Sequence, residues 1–376
     1  MSRILVVSEF VSGSQNSTGY FWEKAIRKLN TDGHEVRVVA SKKHKLNGLK
    51  KNLFFRFIFK AVSAISLVFE AAVHLRKDFI IFSGTNPELL FVLLAFLKKI
   101  IGFKWYVLVH DVFPDNLVPA GVVSGKGFFF KFSMIFFGYL YKTPDKLFVI
   151  GRDMRCVLLG KGVDFCKIHY IPNWVDSNDI ALFNKKDSEI IKSIGWQDKV
   201  VFQFFGNIGR VQGVACILDA IQYVKSPRAA FLFIGSGVNG YLVSNYIKDN
   251  SAKNCFFYGS IAQEMKSEGL AACDIAVISL SSGMYGLGVP SKAYFSLAAN
   301  RPILAVMDAD SEVALMIKED GVGWVCSPDD PRNIARVIDE ICDTEPPFCM
   351  GNPREIAEKK YSEENILSKL SEAFLS

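Results

Sequence analysis

Apolar residues in this chain come in short continuous runs, and the segments between them carry helical spacing. Runs at Arg3–Ser8, His34–Ala40, Phe79–Ser83, Lys104–His110, Lys146–Ile150 and Lys167–Ile171 read as strands, with helices starting near Ser17, Lys51, Asn86, Gly127 and Arg152. Strands apolar on both faces belong in a parallel sheet with helices on each side. Asn16-Ser17-Thr18 reads as a helix cap after a Ser/Gly-rich loop. A polar stretch from Ile171-Pro172-Asn173 to Asp198 reads as a linker, and beyond it the pattern repeats. The second set of strands is 199–205, Ala229–Ile234, Cys255–Tyr258, Ile275–Leu280, Pro302–Val306 and Gly323–Cys326, and an amphipathic helix follows from about Glu363. The expected fold is α/β, with two doubly wound, Rossmann-like domains facing one another and ligands at the carboxyl ends of the strands. The expected boundaries are 1–180, 181–355 and a helical tail, 356–376, able to pack back on the first domain.

Length supports two domains, since 376 residues exceed one ordinary core. A content of 50% hydrophobic and 22% charged residues excludes a disordered chain. Charge is unevenly split: residues 1–175 hold 25 Lys and Arg against 12 Asp and Glu, and the remainder holds 19 against 26. The 32 phenylalanines crowd the basic half. The apolar stretches 53–75, 89–97 and 127–141 are interrupted or bounded by Arg56, Lys60, Glu70, Lys98-Lys99 and Lys131, so none makes a clean transmembrane span. Cations among Phe, Ile and Leu at helical spacing fit helices lying on an anionic membrane surface, with no nucleic-acid partner. Ordinary core helices with snorkelling cations are the alternative. The eight cysteines show no Cys-x-x-Cys pair or zinc spacing, and read as apolar fillers in a cytoplasmic protein.

The chemistry concentrates in glycine-rich strand-to-helix junctions. Phe205-Gly206-Asn207-Ile208-Gly209-Arg210-Val211-Gln212-Gly213 lies between a strand and a helix, where glycines let the backbone approach a ligand and helix amides receive a phosphate. Arg210 adds a permanent cation. Tyr285-Gly286-Leu287-Gly288-Val289-Pro290-Ser291-Lys292 repeats the arrangement, with Ser291 at a cap and Lys292 in a first turn, where a cation makes sense if it meets an anion. Surface solvation of Lys292 is the competing reading. Two such loops make a diphosphate the economical ligand. His110-Asp111 ends an apolar strand, which places His110 at the ligand edge, unless Asp111 or the backbone occupies it.

Two further motifs read more weakly. Gly235-Ser236-Gly237-Val238-Asn239-Gly240 has the dinucleotide spacing, but no acidic residue ends the next strand, so a tight turn at a cleft rim fits better. Asp308-Ala309-Asp310 offers a divalent metal too few oxygens, and helix capping explains it more simply.

Together these segments resemble the retaining GT-B glycosyltransferases of family 4, in particular the bacterial surface-polysaccharide subgroup with Gly-Asn-(Ile/Met)-Gly…Gln-Gly and Pro-Ser-Lys. The resemblance runs through Gly33-His34-Glu35-Val36, His110-Asp111 and Pro114-Asp115, Ile171-Pro172-Asn173, 206–213, Pro290-Ser291-Lys292 and Ala298-Ala299-Asn300-Arg301-Pro302. It implies a nucleotide-sugar donor, a UDP-sugar, with its diphosphate near Gly206, Asn207, Gly209, Gln212 and Gly213, and near Gly286, Gly288, Ser291 and Lys292. Base contacts would come from Gly235, Gly237, Ser260 and Ile261. His110 would reach the sugar, so that His110, Arg210 and Lys292 carry catalysis. The acceptor would be lipid-linked or a glycan, bound by the basic domain, with the enzyme peripheral on the inner leaflet. Neither cofactor nor metal is implied, because helix amides and cations stabilise the departing diphosphate. The leaving phosphate would help deprotonate the acceptor on the same face, giving retention.

The pattern also departs from the family. Asn207 and Gln212 stand where an Arg and a Lys are common, and Leu287 and Phe295 occupy the positions of paired glutamates. Those losses also permit a non-catalytic GT-B partner subunit. A GT-B sugar-nucleotide epimerase is a third reading, which needs cleft carboxylates.

Overall fold

A computed structural model describes residues 1–12, 17–41, 53–75, 78–344 and 349–375. Asn16 of the expected cap and the expected helix start at Lys51 lie outside the described residues. The chain divides into two compact units, residues 1–115, 125–172 and 364–376 in one, and 116–124 and 173–363 in the other.

The first unit contains β1 (Arg3–Ser8), α1 (Ser17–Thr31), β2 (Glu35–Ala40), α2 (Leu53–His74), β3 (Phe79–Gly84), α3 (Glu88–Ile101), β4 (Lys104–Val109), α4 (Phe128–Tyr141), β5 (Lys146–Val149), α5 (Arg152–Gly160) and β6 (Ile168–Tyr170). Its strands form one six-stranded parallel sheet in the order β2-β1-β3-β4-β5-β6. Central strands are apolar on both faces because both are covered: Ile4, Leu5, Val6 and Val7 are fully buried. β2 lies at an edge, and most of its residues keep solvent exposure, Arg37 and Glu35 among them.

The second unit contains α6 (Glu189–Ile194), β7 (Val200–Phe205), α7 (Val214–Ile221), β8 (Ala229–Ile234), α8 (Gly240–Asp249), β9 (Cys255–Gly259), α9 (Lys266–Ala271), β10 (Ile275–Ser279), α10 (Lys292–Ala298), β11 (Ile303–Val306), α11 (Glu312–Asp320), β12 (Gly323–Cys326), α12 (Pro331–Asp343) and α13 (Pro353–Lys360). Its sheet is again six-stranded and parallel, in the order β12-β11-β10-β7-β8-β9. Phe202 stacks on Phe231 across β7 and β8, with ring centroids 5.6 Å apart, and Phe204 faces Phe233 in the same way. Burying each such ring contributes about 1.5–3 kcal/mol. Local chemistry sets the helix starts. Asp330 accepts from the Asn333 amide ahead of Pro331, and Asn352 accepts from the Glu355 amide ahead of Pro353.

The expected boundaries at 180 and 355 fall instead at 172/173 and 363/364. The reason is a backbone bridge. The Val175 amide donates to the Tyr361 carbonyl and the Glu363 amide to the Val175 carbonyl, which ties 173–180 to the end of the second unit. A last helix, α14 (Glu363–Glu372), belongs from Glu364 onward to the first unit. There Phe374 is buried among Phe82, Tyr106 and Phe148, and its carbonyl accepts from Ser2 Oγ at 2.8 Å. His34, whose ring Nδ1 accepts from the Ser2 amide and whose Nε2 meets Ser371 Oγ, packs against the same ring. Six cysteines are wholly or partly buried, but Cys156 and Cys166 are exposed on α5 and the turn before β6, so these two are not core fillers.

Candidate functional site

In the second sheet the chain runs from β7 outward to β9, then returns to the other side of β7 with β10. The strand order therefore reverses between β7 and β10, and the crevice at the carboxyl ends of two such strands is where doubly wound sheets bind ligands. The loops leaving those two strands are 206–213 and 280–291, the glycine-rich segments singled out by their composition.

Gly206 follows β7 at φ 108° and Gly213 precedes α7 at φ 60°, conformations that favour glycine. A Cβ on Gly213 would stand 2.9 Å from the Leu280 carbonyl carbon, so the loop lies directly on the end of β10. Four hydrogen bonds hold it, three from the end of β10 and one from the turn after β8. Ser279 Oγ donates to the Gln212 carbonyl at 2.6 Å, and the Ser281 amide to the Val211 carbonyl at 3.0 Å. Ser281 Oγ donates to the Arg210 carbonyl at 3.4 Å, and Asn239 Nδ2 to the Gly209 carbonyl at 3.2 Å. The sequence pattern missed Ser279, Ser281 and Asn239. Their only signal was polarity where an apolar strand ends and within the variable part of a glycine turn. Arg210 itself is exposed, as is Asn207.

Lys292 opens α10 and behaves differently. The residue is half-buried, but its Nζ is shielded from solvent, has no hydrogen-bond partner, and sits 3.6 Å from the centroid of the buried Phe204 ring. Desolvation lowers its pKa from 10.5 to about 7. The surface-solvation reading therefore fails. A ring face compensates a buried ammonium only in part, so the group is poised for an anion. Gln212 Oε1 is likewise buried without a partner. Phe204 is the penultimate residue of β7, which puts Lys292 beside the start of the 206–213 loop.

The remaining expected positions divide. Gly235 (φ 139°) and Gly237 are required by packing: a Cβ would fall 1.8 Å from the Gly206 carbonyl oxygen or 2.3 Å from that of Ile208. The 235–240 turn thus lies against 206–208, and the Asn239 amide donates to the Ile208 carbonyl at 3.0 Å. Ser260 is exposed, and Ile261 is half-buried, its side chain packing on a core cluster with Ile190, Ile191 and Trp196. Gly286 is at φ 67°, and Gly288 and Ser291 are half-buried in the same loop. Where the family resemblance expects carboxylates, Leu287 is buried and Phe295 carries Lys266 Nζ 3.7 Å above its ring. Asp308 Oδ1 accepts from the Asp310 amide at 3.0 Å, capping its own turn, while Ser311 holds the cap position of α11. Among the described residues no group of three or more His, Cys, Asp or Glu side chains is arranged to hold a metal ion.

His110 belongs to the first unit, directly after β4 and beside β3. In that sheet the order reverses between β1 and β3. Its Nε2 is buried without a hydrogen-bond partner, and burial lowers its pKa from 6.5 to about 4, so the ring is neutral at pH 7. Asp111 does not occupy it: Asp111 Oδ2 accepts from Asn86 Nδ2 at 3.0 Å.

Comparison with known proteins bears on the fold and the family. Residues 199–344, the second sheet and its helices, match the family model described as glycosyl transferases group 1. The chain is 41% identical to "Probable glycosyltransferase WbjE" of Pseudomonas aeruginosa over 391 aligned positions, covering 99% of this chain and 97% of that one. Among solved structures it is similar to the sucrose-phosphate synthase of Thermosynechococcus elongatus, with a TM-score of 0.78, 13% identity and coverage of 100% and 98%. It is also similar to Anabaena Alr3699/HepE in complex with UDP, with a TM-score of 0.70, 15% identity and 99% of each chain covered. The fold is GT-B, and the chain belongs to the group 1 glycosyltransferases.

Proposed function

We propose that this glycosyltransferase moves a sugar, with retention and without a bound metal, from a UDP-sugar to a lipid-linked or glycan acceptor in surface-polysaccharide synthesis. The observation that carries the reading is Lys292: a buried, unpartnered ammonium at the switch point of the second sheet. A diphosphate would supply its missing counter-charge. HepE, of the same fold, was solved with UDP and with UDP-glucose.

In this reading the glycosyl–oxygen bond breaks with negative charge growing on the β-phosphate. Lys292 meets that charge from a desolvated position, where it acts more strongly than in water. Arg210 and the amides of the 206–213 loop hold the α-phosphate side. His110, neutral at pH 7, donates to a sugar oxygen. The acceptor hydroxyl attacks the face the phosphate leaves, and a phosphate oxygen takes its proton.

The first unit supports work at the inner face of the plasma membrane. On α2, Val62, Ile65, Phe69 and Val73 form an exposed stripe, and on α4 Phe128, Phe132, Ile135 and Tyr139 form another. Lys99 Nζ lies 3.9 Å above the Tyr139 ring, which pairs a cation with the apolar rim as anionic headgroups require. Among the described residues no helix is long and apolar enough to cross a membrane.

A second reading, a non-catalytic subunit that assists an active transferase, is favoured by Leu287 and Phe295 in place of carboxylates. Turnover separates the two. Purified protein given UDP-sugars and a lipid-linked acceptor should form product with the donor's anomeric configuration, read by NMR. Binding of UDP with no transfer or donor hydrolysis under any acceptor would support the subunit reading.

A further inference from the structure

A second recess opens beside the Lys292 loop, at the carboxyl ends of β10, β11 and β12. Its volume is about 350 Å³. Asp308, Asp310, Asp329, Ser282, Tyr285 and Ser311 line it. Three features say what it takes. The three aspartates are exposed at its rim, and no lysine or arginine is among its lining residues. The nearby Lys318 ammonium is engaged by the Ala309 carbonyl at 2.6 Å. Ser282 Oγ donates to Asp329 Oδ1, which pre-positions that carboxylate.

The third feature is Ser311, which is 3% exposed and lines the recess. Serine at a helix cap ordinarily turns its hydroxyl onto the helix amides. Here it makes no such bond, and its Oγ has no hydrogen-bond partner at all. A buried hydroxyl without a partner is costly unless a ligand completes it.

We infer that this recess is a subsite for an uncharged pyranose and rejects uronic acids. Aspartates accept hydrogen bonds from sugar hydroxyls, while the serine and tyrosine hydroxyls donate to or accept from ring substituents. The volume falls at the small end of the range of about 300–1,000 Å³ typical of ligand sites, suited to a sugar ring. A carboxylate on the ring would face three like charges, which the single nearby ammonium of Lys318 offsets only in part. Tyr285 lines the recess and is followed directly by the loop that leads to Lys292, so the subsite adjoins the proposed diphosphate seat. Its identity as a sugar site rests on the transferase reading; its preference for a neutral ligand rests on the lining alone.

The test titrates the full chain, Ser311→Ala and Asp329→Asn with UDP, with UDP-glucose, UDP-galactose, UDP-N-acetylglucosamine and UDP-glucuronate, and with methyl pyranosides in saturating UDP. If the donor's sugar fills the recess, at least one neutral UDP-hexose binds the wild type about tenfold tighter than UDP. Both variants then keep their UDP affinity and lose that margin, and Asp329→Asn improves binding of UDP-glucuronate. If an acceptor sugar fills it, a methyl pyranoside binds in the presence of UDP and the same substitutions weaken it. Unchanged affinity for every sugar in both variants, or preference for the uronate in the wild type, overturns the proposal. Failure of UDP itself to bind would instead overturn the transferase reading, and the pyranosides alone would then decide the recess. A gain of uronate binding cannot arise from misfolding.

Discussion

The two loops at the switch point share glycines and a basic residue, yet their cations differ in kind. Arg210 stands in solvent, while the carbonyls around it are satisfied by Ser281 and Asn239. Lys292 is withdrawn from solvent over Phe204 with no partner. The first loop is a backbone structure closed by its own hydrogen bonds, with an exposed charge on it. The second holds a charge at a cost to the fold, of the kind that persists where function requires it. A cation's worth to an anionic ligand is set by its desolvation more than by its presence in a motif.

Replacing Lys292 with Met tests this most severely. UDP affinity should fall about 10²- to 10³-fold, since one partner of a buried ion pair is lost, while the ligand-free protein becomes about 1–3 kcal/mol more stable. Calorimetry and denaturant melts check both halves; unchanged affinity would erase the contrast between the loops. Gly235→Ala should cost about 2–3 kcal/mol and weaken UDP binding, because its Cβ collides with the Gly206 carbonyl that starts the first loop.

pH separates the cations next. With the Lys292 pKa near 7 in the free protein, a bound diphosphate must raise it. UDP binding should therefore take up protons and weaken by up to about tenfold per pH unit above 7, an effect absent in Lys292→Arg. Comparing binding heats in buffers of different ionisation enthalpy reads the proton uptake directly. Arg210→Ala has the smallest expected effect, about three- to fivefold in UDP affinity, as for an exposed ion pair. A loss as large as that of Lys292→Met would show that ligand binding desolvates Arg210 as well.

Stability has its own pH signature in the first unit. The folded His110 pKa of about 4 lies below its ordinary 6.5, so the folded state binds fewer protons in that window. The resulting stabilisation is complete above pH 6.5 and is lost as pH falls toward 4, by about 3 kcal/mol in all. His110→Asn should flatten the melt midpoint across that range.

Both sheets were legible in the sequence because their strands are buried on two faces and so read as unbroken apolar runs. The glycine loops were legible because close approach demands glycine whatever surrounds it. Lys292 was found as a residue but not as a buried one, since Phe204 comes under it only through the pairing of β7 with β10. Asp329, which completes the recess with Ser282, carried no local signal, because 47 residues separate them. The amphipathic repeat of α2 and α4 was visible in outline, but which stripe stays uncovered depends on their neighbours. Boundaries missed for a related reason: the bridge of Val175 to Tyr361 and Glu363 joins distant segments.

Phe374 gives the order of synthesis a structural meaning. The first sheet leaves a slot among Phe82, Tyr106 and Phe148, and the ring that fills it is made only after the whole second unit. On the ribosome, the first unit to begin is the last to close. The second unit can complete its core while the first still carries an open aromatic slot, and a chain shortened before Glu364 would keep its glycine loops yet leave the first sheet permanently unsealed.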